Sequence, residues 1–422
     1  MKSKKKTLSA AFVLAGLVVA MLWMVAARYD GSRPKSSAVF SPASQAEAQT
    51  TDAAAEQSPD TPTEPTPEPT PEPELPQHWL VTVDGTELKS ESVTRDELLL
   101  CQLDEIAEAL KLDVTEEGDR ISFTWRRKDV RLSVDATGIQ YGNKSGELAC
   151  APFRFHGSVA IPIESFCDFL EISLYYDEEF EHLYCTPGAG NWELPEGYSV
   201  PVLMYHGVND YAWTMPSLFV TPAALEEQIQ YLLDNGWEPI WFEDLEHVDQ
   251  YEKPIMLTFD DGYLCNHDIL LPILEKYQVK ATCFIITDFL DHGNEYRNRE
   301  EYLTWDMVRE MDESGLISIQ SHTANHLNLT ELAPSTQERE FLEAERDIVR
   351  QIGKEPFVLS YPEGGQTQAS CDLVNEIYRF AVKMTGPIYV TGEDPTMIYR
   401  IFIERGMGME RFERRINGDV WA

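Results

Sequence analysis

The stretch Pro254-Ile255-Met256-Leu257-Thr258-Phe259-Asp260-Asp261-Gly262 (residues 254–262) runs for six positions without a charge, apolar but for Thr258, and then meets two carboxylates and a glycine. A continuous apolar run of this length reads as a strand covered on both faces, the kind found in parallel sheets. Working outward, strand-like runs recur at Val200–Met204, Lys280–Ile286, Leu316–Gln320, Phe357–Ser360, Phe380–Met384 and Arg400–Ile403. Helical patterns lie between them at Pro222–Asp234, Asp268–Tyr277, Trp305–Glu313, Ser335–Ile352 and Cys371–Tyr378. Strands alternating with helices predict parallel βαβ units, and residues 198–422 suit one α/β domain, a distorted barrel of about seven parallel strands. In such barrels reactive groups sit where the strands end.

A second fragment, Ser321-His322-Thr323-Ala324-Asn325-His326, follows another strand-like run about sixty residues on. An Asp oxygen and two His nitrogens make a ligand set that Zn²⁺ or a similar divalent ion accepts while keeping a position open for water. Each fragment alone is weak: Asp-Asp-Gly is most often a turn, and histidines four apart commonly face solvent. Both falling after strands of one βα repeat changes that weighing. Side chains alternate along a strand, so Asp260 and Asp261 take different directions unless the chain bends, and Gly262 allows a bend. Two roles follow: one carboxylate on the metal, the other facing the water.

The chain begins with a basic tail (1–6, with Lys2, Lys4, Lys5 and Lys6), and Thr7 to Ala27 then runs without a charge to Arg28. Twenty-one such residues reach about 30 Å as a helix, enough for a membrane anchor. A cleaved signal segment is the alternative, with Val25-Ala26-Ala27 as the cleavage site. The lysines would keep the N-terminus inside and send the rest outward, giving a membrane-anchored protein with an extracellular catalytic domain, or a secreted one if cleaved. Residues 28–77 carry no apolar periodicity, and eight prolines fall within 58–76, the composition of a disordered Pro/Glu/Thr-rich stalk. Residues 78–187 read as a small α+β module without a chemical cluster. Four of the seven cysteines lie there (Cys101, Cys150, Cys167, Cys185), where one or two bridges are open; Cys283, within an apolar run, reads as a buried small side chain. A formal charge of −38, from 34 basic against 72 acidic residues, argues against nucleic acid as a partner.

The segments PVLMYHGV (201–208), TFDDGY (258–263), LLPILEKYQVKATCFI (270–285), YLTWDMV (302–308), SHTANHLNL (321–329) and YPEGG (361–365) occur in an order that resembles the polysaccharide deacetylases, the NodB-homology group of carbohydrate esterase family 4. Within that group the chain is similar to the poly-N-acetylglucosamine deacetylase branch. The 78–187 module loosely resembles the N-terminal stalk domain of copper amine oxidases. The family resemblance implies a NodB-like barrel, Asp261, His322 and His326 as metal ligands, Asp260 as catalytic base, and Tyr361-Pro362 as a substrate-orienting motif with a backbone N–H near Tyr361 for the oxyanion. The implied cofactor is one divalent ion, zinc first and cobalt or nickel after it. The implied partner is an N-acetylated glycan, an exopolysaccharide or peptidoglycan, that releases acetate.

Two departures from the family pattern matter. No histidine follows His326, so a histidine acid must come from upstream, and among His206, His247, His267 and His292 only His206 stands directly past a strand-like run. A neutral-pH proton donor is a natural histidine role, and the resembling branch takes its acid from the first strand. The third motif, Leu359-Ser360-Tyr361-Pro362, lacks the arginine that many relatives use to hold the catalytic aspartate, and Arg400 is a candidate to supply that charge. The competing readings are a non-catalytic glycan-binding protein on the same fold and an amidase for small amides.

Overall fold

The structure is a computed structural model that describes residues 79–422 apart from 91, 96–97, 178, 189–192, 213–214, 293–300, 420 and 422. The expected anchor at 7–27 and stalk at 28–77 lie outside the described residues. Among the described residues no helix is long and apolar enough to cross a membrane.

Seven parallel strands close into a barrel: β1 (Val202–Tyr205), β2 (Pro254–Phe259), β3 (Ala281–Ile285), β4 (Ile317–Ser321), β5 (Val358–Ser360), β6 (Phe380–Thr385) and β7 (Ile398–Phe402). Each of β2 to β6 pairs with the next, β6 pairs with β7, and β1 closes the ring against both β7 and β2. The two-residue strand Glu238–Pro239 pairs in parallel with the first two residues of β2, Pro254 and Ile255, ahead of the stretch that β1 covers. Every residue of β2 is buried, as its unbroken apolar run requires. Helices pack outside the ring, among them Pro222–Asp234, Trp305–Glu313, Pro334–Ile352 and Gln368–Ile377. Thr221 and Thr304 cap the first two by accepting N–H bonds from Ala224 and Met307, a contribution of about 1 kcal/mol each.

The helix expected over Asp268–Tyr277 is broken into a π turn, Asn266–Leu270, and an α-helix, Leu271–Tyr277. Pro272 is the reason: it offers no N–H, and its ring crowds the carbonyl four residues back, which a wider turn relieves.

Residues 80–186 form the α+β module. A five-strand antiparallel meander (Thr115 to Glu147) lies with two four-strand sheets and the helices Leu103–Ala109 and Ile163–Leu170 around a shared apolar core. No disulfide bridge forms among Cys101, Cys150, Cys167 and Cys185, and Cys101, Cys167, Cys185 and Cys283 are buried as apolar side chains. The module meets the barrel at the C-terminal end of helix Pro334–Ile352. There Arg350 Nε pairs with buried Asp177 at 2.7 Å, the Thr186 hydroxyl donates to Glu355 at 3.0 Å, the Tyr175 hydroxyl donates to Glu345, and Gly85 N–H donates to the Gly353 carbonyl at 3.0 Å. That helix runs back from β4 to the start of β5. The junction is therefore at the N-terminal end of the strands, away from Asp260.

Candidate metal and catalytic site

Asp260 continues the extended line of β2, its N–H donating to the Tyr205 carbonyl at 3.0 Å. The bend begins at Asp261 (φ 77°) and runs on through Gly262 (φ 70°), one residue earlier than the glycine alone suggests. A left-handed non-glycine residue costs roughly 1–2 kcal/mol. The turn sends the two carboxylates different ways.

Asp260 is 3 % exposed and faces Arg400 of β7, itself 2 % exposed. The contact is bidentate: Nη1 to Oδ1 and Nη2 to Oδ2, both 2.6 Å. The other three guanidinium donors reach Lys383 O (2.9 Å), Thr258 Oγ1 (3.1 Å) and Ser360 Oγ (3.1 Å). All five N–H groups are thus used, which makes a buried arginine tolerable. Burial would push the Asp260 carboxyl up, but Arg400 outweighs it and holds the group below the usual carboxylate range. Asp260 is an ionised acceptor in a dry setting.

Asp261 Oδ1 lies 3.4 Å from His322 Nε2 and 3.8 Å from His326 Nε2, and the three ligand atoms fall within 4.8 Å of one another. Ligands about 2.0 Å from one tetrahedral ion stand about 3.3 Å apart, so the triad fits a single divalent ion after a small contraction. The tautomer fits as well. His322 Nδ1 is 2.8 Å from the Ser360 carbonyl, an acceptor only, so Nδ1 carries the proton and Nε2 keeps its lone pair for a metal. Burial works against ionised Asp261, yet the adjacent His322 and the other imidazoles around it pull its carboxyl well below the usual range. Burial lowers His322 too, but Asp261 outweighs it and raises that imidazole, whereas burial and then the neighbouring His322 lower His326 to about 4. Two carboxylates against one arginine leave the pocket one negative charge in excess, which favours a divalent cation.

His206, just past β1, brings Nε2 to 4.0 Å from Asp260 Oδ2, with the Phe402 ring edge-on at 6.1 Å. Its Nδ1 is buried without a hydrogen-bond partner among the described residues, and burial lowers its pKa. Of the other histidines weighed, His247 is exposed and both ring nitrogens of His267 are taken by Asp268 and Glu310 at 2.9 Å; the His292 side chain lies outside the described residues. Tyr361 lies at the end of β5, beside the site. Its own N–H donates to the Val382 carbonyl at 3.2 Å and its hydroxyl to the Thr396 carbonyl at 3.1 Å, and the buried ring packs into the wall beside buried Pro362.

Thr258 and Ser360 were not singled out from the sequence. Thr258 stands two residues before Asp260 and so shares its face of the strand, a signal that was legible. Ser360 joins three partners, its hydroxyl donating to Asp260 Oδ2 at 3.3 Å and accepting from Arg400, and its carbonyl facing His322. A serine at a strand end is too common to mark this.

Residues 247–378 match the family described as polysaccharide deacetylase. The protein YxkH of Bacillus subtilis (strain 168), which carries a polysaccharide deacetylase name, is 28 % identical over 219 residues, covering 50 % of this chain and 74 % of that protein. The poly-beta-1,6-N-acetyl-D-glucosamine N-deacetylase of Escherichia coli (strain K12) is 32 % identical over 136 residues, 29 % of this chain but only 20 % of the relative. Among solved structures, a polysaccharide deacetylase from Bacillus cereus superposes with a TM-score of 0.48 at 22 % identity, covering 72 % of this chain and 98 % of that one. The matching segment spans β2 to helix Gln368–Ile377 and holds Asp260, Asp261, His322 and His326, so this part of the chain carries a polysaccharide deacetylase domain.

Proposed function

We propose that this protein removes N-acetyl groups from an N-acetylglucosamine-containing polysaccharide outside the cell, in a metal-dependent reaction that releases acetate. The observation that carries the reading is the pairing of an arginine-held, ionised Asp260 with the adjacent Asp261, His322 and His326 triad. The three ligands would hold one divalent ion, zinc in the first place, which supplies a Lewis acid for the acetamide carbonyl and lowers the pKa of water there.

Asp260 accepts the proton of the attacking water. Arg400 keeps it ionised, and Oδ1, which among the described residues accepts only the Arg400 bond, retains a lone pair for that proton, Oδ2 being taken by Arg400 and Ser360. His206, across the pocket at 4.0 Å from Asp260, delivers a proton to the departing sugar amine, which would otherwise leave as an unstable amide anion. The buried surroundings of both groups strengthen their electrostatic effect on the reacting atoms. The polymeric substrate is supported by the relatives' names and by the segments at 7–27 and 28–77, whose composition suits an anchor and a spacer outside the membrane.

The test is acetate release from poly-N-acetylglucosamine, chitooligosaccharides and purified peptidoglycan with Zn²⁺, Co²⁺ or Ni²⁺ supplied. Rates that rise with oligosaccharide length support a polymer, and Asp260→Asn should abolish release. Full activity in Asp260→Asn, or no release from any N-acetyl glycan by metal-loaded protein, would overturn the assignment.

A further inference from the structure

The loop that carries His326 is strained. Thr323 (φ 67°) and His326 (φ 54°) both sit in the left-handed region without being glycine, at roughly 1–2 kcal/mol each. Such a conformation persists only where its surroundings over-determine it. Inside the loop, His326 N–H donates to Thr323 Oγ1 at 3.0 Å, and Thr323 N–H donates to Ser321 Oγ at 3.2 Å. These bonds set its local curl but do not attach its tip to the barrel.

Two elements attach it: the N–H groups of Thr287 and Asp288 donate to the Thr323 and Ala324 carbonyls at 3.4 and 3.0 Å, and on the other side stands Glu340, two turns into the helix Pro334–Ile352 and 2 % exposed, the side chain that grips Asn325. Its Oε2 accepts the Asn325 N–H at 2.8 Å, its Oε1 accepts Asn325 Nδ2–H at 3.2 Å, and its backbone carbonyl accepts the Ala324 N–H at 3.2 Å. The two donors of Asn325 form a fork that a carboxylate fits and an amide does not, since an amide would turn one acceptor into a donor. Among the described residues Glu340 takes part in no ion pair. A buried carboxylate without a counter-charge is costly to keep, and here it is spent on the residue directly before His326.

We propose that Glu340 is a positioning residue for the metal centre: by holding Asn325 it fixes the strained 323–326 loop so that His326 Nε2 stays within reach of the ion held by Asp261 and His322. This rests on reading those three residues as a metal site. His322 is fixed separately by the Ser360 carbonyl, so Glu340 governs one ligand of the three.

The experiment measures zinc affinity of the full chain by competition with a chromophoric chelator, alongside Tm of the metal-free protein. Wild type should bind one zinc per chain and His326→Ala should bind far more weakly. Glu340→Gln should weaken zinc roughly 10- to 100-fold, the usual effect of losing a partner that orients a ligand, and Glu340→Asp should restore part of that loss. A purely structural glutamate would instead lower the metal-free Tm and leave the affinity of the folded protein alone. If Glu340→Gln fails to fold, Asn325→Ala removes one arm of the fork without burying a mismatched amide, and should weaken zinc several-fold. Wild type that binds zinc with Glu340→Gln and Asn325→Ala both within twofold of it overturns the positioning role alone. Wild type that binds neither zinc, cobalt nor nickel overturns the metal reading and the Glu340 role with it.

Discussion

Replacing Arg400 with methionine isolates the buried ion pair with Asp260. Two 2.6 Å charge-assisted bonds join side chains that are 2 % and 3 % exposed, so removing the cation strands a carboxylate in the barrel interior. Breaking such a pair costs about 3–5 kcal/mol, and in a domain of this size that lowers Tm by roughly 6–20 °C. Asp260→Asn alone strands the arginine instead and should cost a similar amount. In the double variant Arg400→Met/Asp260→Asn no charge is left unpaired, so the combined loss should fall short of the sum by at least about 2 kcal/mol. Recovery is incomplete because the Lys383 carbonyl, Thr258 and Ser360 still lose an arginine donor. The assay is thermal or denaturant unfolding of all four proteins with a chelator present, so that the coupling belongs to the ion pair. The sign with pH is also set. Asp260 is held below its ordinary 3.8, so its contribution is present above that pH and fades as pH falls; in Arg400→Met the largest charge opposing burial is gone, His322, His206 and Ser360 remain, and the contribution shrinks. Additive losses, or a Tm fall under about 3 °C for Arg400→Met, would refute the argument that this pair is what makes Asp260 tolerable as an ion.

Dialysis against a chelator should abolish acetate release, and zinc, cobalt or nickel should restore it; activity that survives removal of bound metal, verified by elemental analysis, contradicts the metal reading. His206→Ala should lower kcat by about 10²–10⁴ at unchanged metal content, and full turnover would send the search for the acid elsewhere. At the junction of module and barrel, burial pushes Glu345 from its ordinary 4.5 up to about 7. Its contribution is therefore present below 4.5 and lost as pH rises through about 7, on the order of 3 kcal/mol; Glu345→Gln should flatten the fall of Tm across that window. Gly262→Ala adds a Cβ at φ 70° that meets Ile285 Cγ2 at 3.2 Å, and equilibrium unfolding should show a loss of about 1–2 kcal/mol.

Much of the barrel was legible because its strands are covered on both faces and so read as unbroken apolar runs. Pro254–Phe259 begins and ends where the hydropathy does, as do the capped helices Pro222–Asp234 and Trp305–Glu313. What escaped were features set by a single atom's geometry. The π turn before Leu271 follows from one proline ring, and the start of the bend at Asp261 follows from a backbone angle that residue type does not announce. The commitment of the Tyr361 N–H to Val382 depends on how β5 and β6 register, which no local pattern encodes.

Local order in the chain was enough for which residue types could do the chemistry: a carboxylate pair at the end of an apolar run, and two imidazoles after another. Hydropathy and side-chain pKa act within a few residues, so these are visible in a string of letters. The pairing of Arg400 with Asp260 and the joining of both to Ser360 needed the ring to close, because β1 meets β7 and β2 only through hydrogen bonds across large sequence gaps, and Ser360 at the end of β5 reaches the pair across the ring. The same closure buries the pair, and the bidentate Arg400 contact offsets the penalty that burial sets against the charged carboxylate. Glu340 shows the limit most plainly: nothing about a glutamate on an amphipathic helix signals that it grips the loop of His326 until that helix is laid against the barrel.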